Sequence, residues 1–115
     1  RIQAVSGFAE DLLLSLAAAV ERLSEHPLAD AVVAAAKERG LRDLPATQFE
    51  ASPGQGAAAR VDGDWVLIGN QQWLTSQGVD AISLSHYADQ LAADGATPVL
   101  VAVDGLPAGV IAVSD

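Results

Sequence analysis

The chain has 115 residues, half of them hydrophobic but only 4% aromatic, with a formal net charge of −9 and no cysteine. That length suits one domain whose core is built from Ala, Val, Leu and Ile, with no disulfide or thiolate metal site. The negative charge opposes non-specific attraction to nucleic acid or an anionic membrane surface, and disfavours purely electrostatic capture of a polyphosphate.

The opening "RIQAVSGF" has neither an initiator Met nor a charged-then-apolar signal pattern, and "GVIAVSD" stops abruptly after an apolar run. Both ends look like cut points, so residues 1–115 are expected to be a single domain taken from something longer. The longest apolar segments, "LLLSLAAAV" and "PVLVAV", fall far short of the ~20 residues that cross a bilayer. Phe8, Leu12, Leu13, Leu16, Val20 and Leu23 recur at helical steps and predict one apolar stripe, with Glu10 and Asp11 near the favourable end of the dipole. A second helix carries Leu28, Ala31, Val32, Ala35 and Ala36 on one face and stops at Gly40. Joined by a few residues, the two helices should pack antiparallel.

After Pro45 the pattern changes to short strands, "ATQFEA", "GAAARVDG" and "WVLIG", with Asp62-Gly63 as a two-residue hairpin loop. "NQQWLTSQG" reads as a short helix capped by Asn70 and stopped by Gly78. "AISLSHYADQLAADG" is amphipathic, with Ile82, Leu84, Tyr87, Ala88 and Leu91 as its inner face. "TPVLVAVDGLPAGVIAV" then gives two strands about a second Asp-Gly turn. This order predicts an α+β domain, an antiparallel sheet with helices packed on it.

Three stretches carry possible chemistry. In "SEHPLADAV" the proline suits a first helical turn, so His26 is expected at the cap position with an extended backbone. The positive helix end would favour a neutral imidazole, suited to stacking or hydrogen bonding; simple capping would explain His26 as well. Glu21, five residues earlier, could reach His26 if the chain reverses at "RLSE". Carboxylate and imidazole together can meet the edge of a purine, whereas the bland alternative is a solvated Glu. Glu25 reads as solvated. In "SPGQGAA" the glycines Gly54 and Gly56 admit positive φ and leave bare backbone for a flat ligand; ordinary turn formation explains them equally. In "IGNQQWL", Gly69 ends a strand and Asn70 either caps the next helix or offers its amide to a ribose or phosphate oxygen. Trp65 and Trp73 read as core and His86 as surface. No cysteine nucleophile, His-x-x-x-His pair or Gly-x-Ser-x-Gly elbow is present.

Taken together, "SEHPLADAV", "GQGAAARVDG", "IGNQQWL" and "GATPVLVAVDGLPAGVIAVSD" resemble the nucleotide-binding domain of heavy-metal-transporting P-type ATPases, the copper pumps and their zinc/cadmium relatives, over roughly residues 12–115. The resemblance implies a sheet of about six strands flanked by two helical hairpins. It implies an insert in the phosphorylation domain of a membrane pump, on the cytoplasmic face, that binds ATP and ADP by the adenine end. Glu21 matches the residue at the adenine amino group, His26 the one that orients the ring, Gly54 and Gly56 those against which the base lies, and Gly69 and Asn70 the pair near ribose and phosphates. The slot after the second glycine is usually Val or Ile and here is Ala57, so a slightly roomier strand is expected, with binding retained. Expected partners are the phosphorylation and actuator domains of the same polypeptide, with Mg²⁺ accompanying ATP and copper(I) as cargo. Neither nucleic acid nor direct membrane contact is expected. The phosphorylation motif Asp-Lys-Thr-Gly-Thr is absent, so the domain should bind ATP without splitting it. The alternatives are a protein-docking domain that uses its acidic surface or sheet face, and a small hydrolase built on Glu21 and His26.

Overall fold

A computed structural model describes residues 2–4, 8–25 and 28–113. Its elements are β1 (Ile2–Ala4), α1 (Glu10–Glu21), α2 (Ala29–Glu38), β2 (Ala46–Ser52), β3 (Gly56–Val61), β4 (Asp64–Gly69), α3 (Gln71–Ser76), α4 (Ile82–Ala92), β5 (Thr97–Val103) and β6 (Leu106–Val113). The strands form one antiparallel sheet in the order β1-β6-β5-β4-β3-β2. The fold is the expected α+β arrangement. Strand β1 closes one edge against β6, an element that the opening residues did not signal.

Helices cover both faces, so the central strands read as continuous apolar runs instead of alternating. One face of the sheet offers Ala57, Ala59, Val61, Val66, Ile68 and Val101 to α1, with α2 packed outside. The other offers Ala58, Leu67, Leu100, Ala102 and Val110 to α3 and α4. Helix α1 is thus enclosed on several sides, and Ala17, Ala18 and Ala19 are all buried. This sandwiching shifts the buried face from the predicted stripe: Leu14 is fully buried, whereas Leu12 and Leu23 are exposed. Ile82 is likewise exposed, because it starts α4 at the rim where no neighbour covers it.

Local signals account for most boundaries. At Gly40, with φ +70°, the Gly40 and Leu41 amides donate to the carbonyls of Lys37 and Ala36, the pair of hydrogen bonds that closes a helix on a left-handed residue. Gly78 does the same for α3, its amide and that of Val79 donating to Thr75 and Leu74. Both Asp-Gly loops have positive φ at each residue, 52° and 88° at Asp62-Gly63 and 51° and 82° at Asp104-Gly105. Those angles match the twist of the hairpins they join. The expected start of α2 at His26-Pro27 lies outside the described residues; the helix is described from Ala29, behind Leu28.

Candidate functional site

Glu21 is the last residue of α1 and is only 7% exposed. Burial deprives its carboxylate of water and pushes the pKa from 4.5 up to about 7. A carboxyl poised there both accepts and, when protonated, donates a hydrogen bond near neutral pH. This departs from a solvated glutamate, and it arises because α1 is sandwiched up to its final turn.

Across from Glu21 the ends of β2, β3 and β4 meet. Gly54 sits in the turn from β2 to β3 at φ +77° with open space around it. Gly56 and Gly69 lie directly opposite each other in the β3–β4 pair. The Asn70 amide donates to the Gln55 carbonyl at 2.9 Å, joining the glycine turn to the start of α3. Asn70 Oδ1 accepts from the Trp73 amide at 2.8 Å, so the side chain caps α3 as expected. That bond engages its oxygen and leaves the Nδ2 group as the side chain's hydrogen-bond donor.

These segments enclose a cleft of about 600 Å³ lined by Glu21, Gly54, Gly56, Gly69 and Asn70 among others, within the range of small-molecule sites. Five of the six residues singled out from the sequence therefore share one cavity; the sixth, His26, lies outside the described residues. Leu23, Leu28, Phe49 and Ala51 supply apolar lining, with Ala57 and Ile68 from the α1 face of the sheet. The described lining includes the carboxyls of Glu21 and Glu25 but no Lys or Arg. The described lining suits a flat, uncharged ring and includes no cationic cradle for a phosphate.

No family model matches the chain. It is 46% identical over 114 residues to a copper-transporting P-type ATPase of Rhizobium leguminosarum bv. viciae, which covers 99% of this chain. It is 45% identical over 108 residues to a copper-exporting P-type ATPase of Legionella pneumophila, which covers 94% of it. The chain spans only 14% and 15% of the length of these relatives. Among solved structures, the N-domain of HMA8, a copper-transporting P-type ATPase, superposes with a TM-score of 0.79 at 30% identity, over 96% of this chain and 95% of that one. The chain belongs to the N-domains of copper-transporting P-type ATPases. The same fold recurs inside a zinc-transporting PIB-type ATPase, with a TM-score of 0.86 and 34% identity over all of this chain and 18% of that one.

The N-domain's cleft holds residues that sequence reading did not pick, notably Phe49, Leu28 and Pro98. Phe49 reaches it through a bulge. Thr47 pairs with Arg60 and Glu50 with Ala58, so β2 holds one extra residue there, with Gln48 at φ 56°. The insertion returns Phe49 to the α1 face, where simple alternation from Ala46 would have turned it away. Trp65, read as core, is half-buried and carries the Arg60 guanidinium 5.3 Å from its ring centre. A second, shallower hollow beside it has a structural account. Asp104 accepts from the Trp65 amide at 2.8 Å and returns its own amide to the Trp65 carbonyl, latching the β5–β6 turn onto β4.

Proposed function

We propose that this N-domain binds ATP in the cleft by its adenine end. In the full-length pump it presents the γ-phosphate to the phosphorylation domain of a Cu⁺-transporting P-type ATPase, and it does not hydrolyse ATP by itself. The observation that carries this reading is the convergence of Glu21, Gly54, Gly56, Gly69 and Asn70 on one cleft with apolar walls. Apolar side chains cover the faces of the base, and the Glu21 carboxyl meets its polar edge. An ionised Glu21 accepts from an amino group; a protonated one also donates to a ring nitrogen. His26 completes that edge by family resemblance.

The absence of Lys and Arg from the described lining fits a base-led mode in which the phosphates project outward, Mg²⁺ offsets their charge, and another domain receives the terminal group. No cluster of three His, Asp or Glu suited to a metal occurs among the described residues, so the metal would travel with the phosphates. The domain would be carried by a membrane transporter, although no described helix is long and apolar enough to cross a bilayer.

A residue-resolved titration of labelled protein with ATP, ADP, AMP and GTP tests the reading. The expected outcome is comparable binding of ATP and AMP, weak GTP, and affinity of roughly 0.1–1 mM, or about −4 to −5.5 kcal/mol. His26→Ala should weaken ATP binding about tenfold, ~1.4 kcal/mol. Unchanged spectra at several times that concentration would reject it.

A further inference from the structure

We propose that Trp73 is a positioning residue for this cleft. From the opposite side of the sheet, its indole fixes the Gly56–Gly69 backbone pair and Asn70 in the arrangement the ligand meets. The proposal rests on the reading of the cleft as the nucleotide site, and goes beyond it by assigning work to a residue that does not line the cavity.

Strand alternation makes the case. Ala57 and Ile68 face α1 and the cleft, and their neighbours Ala58 and Leu67 face α3 and α4. Gly56 and Gly69 share the parity of Ala58 and Leu67, so any side chain on either would project away from the cleft. Trp73 stands in that space. A Cβ on Gly56 would collide with Trp73 Cε3 and lie 2.7 Å from its Cζ3; one on Gly69 would lie 2.9 Å from Cε3. The benzenoid edge of the indole therefore rests against both glycines at once, and Trp73 is only 7% exposed.

The same glycines also allow β3 and β4 to approach closely. A Cβ on Gly56 would be 2.6 Å from the Ile68 carbonyl, and one on Gly69 would be 2.5 Å from the Gln55 carbonyl. Glycine is thus required here by tryptophan and backbone on the far side, with no need to invoke clearance for a ligand on the near side. Trp73 further receives the Asn70 cap on its own amide, and Asn70 in turn holds Gln55 of the glycine turn. One residue underpins three segments of the cleft wall.

The test compares wild type, Trp73→Leu, Trp73→Phe and Leu84→Ala by AMP and ATP titration, amide spectra and thermal melting. Leu84 is fully buried in the same layer but is not among the atoms that crowd the glycines. Trp73→Leu should weaken both nucleotides about tenfold, since small displacements of positioning groups carry large costs. It should also shift the Gly56, Gly69 and Asn70 amides in the free protein. Trp73→Phe, which keeps a six-membered ring, should restore most of the affinity. Leu84→Ala should lower the melting temperature and leave affinity unchanged. Wild-type affinity in Trp73→Leu, or an equal loss in Leu84→Ala, would overturn the proposal. If wild type binds no nucleotide, the functional reading falls instead, and unmoved Gly56, Gly69 and Asn70 amides in Trp73→Leu would then reject the positioning role.

Discussion

The two faces of the sheet are packed to different ends. On the α1 face, small side chains let the helix press close to the strands, yet its last turn leaves a cleft with a buried carboxyl. On the α3–α4 face, Trp73 lies against the glycines, and Leu74, Leu84 and Leu91 fill the rest of the buried layer. The first face forgoes some packing to keep a polar group near a cavity, and the second supplies a rigid support. The comparison teaches that the backbone of a cleft wall can be fixed from the layer on the far side of the sheet.

The largest effect should come from breaking the closed face. Leu84→Ala removes a fully buried side chain and should cost about 2–5 kcal/mol, depending on how far the layer relaxes. Urea unfolding would measure it. A cost below ~1 kcal/mol would mean that this layer is looser than its burial implies.

The open face should answer to pH. Burial raises the Glu21 pKa from 4.5 to about 7, so the folded state holds a proton that the unfolded state releases. Its contribution is fully present below about pH 4.5 and is lost as pH rises through about 7. Allowing for water in the cleft, the difference between the two limits is ~2 kcal/mol. Glu21→Gln, neutral at every pH, should flatten this fall relative to wild type in unfolding curves recorded from about pH 4 to 8. Parallel pH dependences for the two proteins would show the carboxyl to be solvated.

How much of this was legible in the sequence follows from the range of the interactions involved. Gly40, Gly78 and the two Asp-Gly loops act within a few residues, so their roles could be read directly. Five cleft residues could be named because a family resemblance supplied what spacing could not. The burial of Glu21 depends on layers above and below α1, and no local pattern encodes that. Phe49 was hidden for another reason: the bulge at Gln48 breaks the period-two alternation on which strand faces are assigned. Exposed Leu12 and Ile82 fit a helical stripe in the letters, but whether a stripe residue finds a neighbour depends on where the helix begins relative to the sheet. The support given by Trp73 is the least legible, because it requires the register of Gly56 against Gly69.

Asn70 joins the two faces, and its cap can be separated from the ligand contact proposed for it. Asn70→Ala should remove the cap on Trp73 and cost about 1 kcal/mol of stability. Asn70→Ser keeps an oxygen for the cap, so stability should stay near wild type, while the amide donor is lost to the cleft. Lower ATP affinity in the serine variant at unchanged melting temperature would assign Nδ2 to the ligand. Equal affinity would reduce Asn70 to a cap.

The smallest effect should come from the rim. Ile82 is 68% exposed at the start of α4, so Ile82→Ser gives up little buried area and should change stability by less than about 0.5 kcal/mol. It sits in the same helix as Leu84, two residues away, which makes the pair a direct measure of how steeply burial changes along α4. A loss on Ile82→Ser comparable to that of Leu84→Ala would mean that some surface covers Ile82 in solution. The closed face would then extend past the residues that α3 and α4 bury between themselves and the sheet.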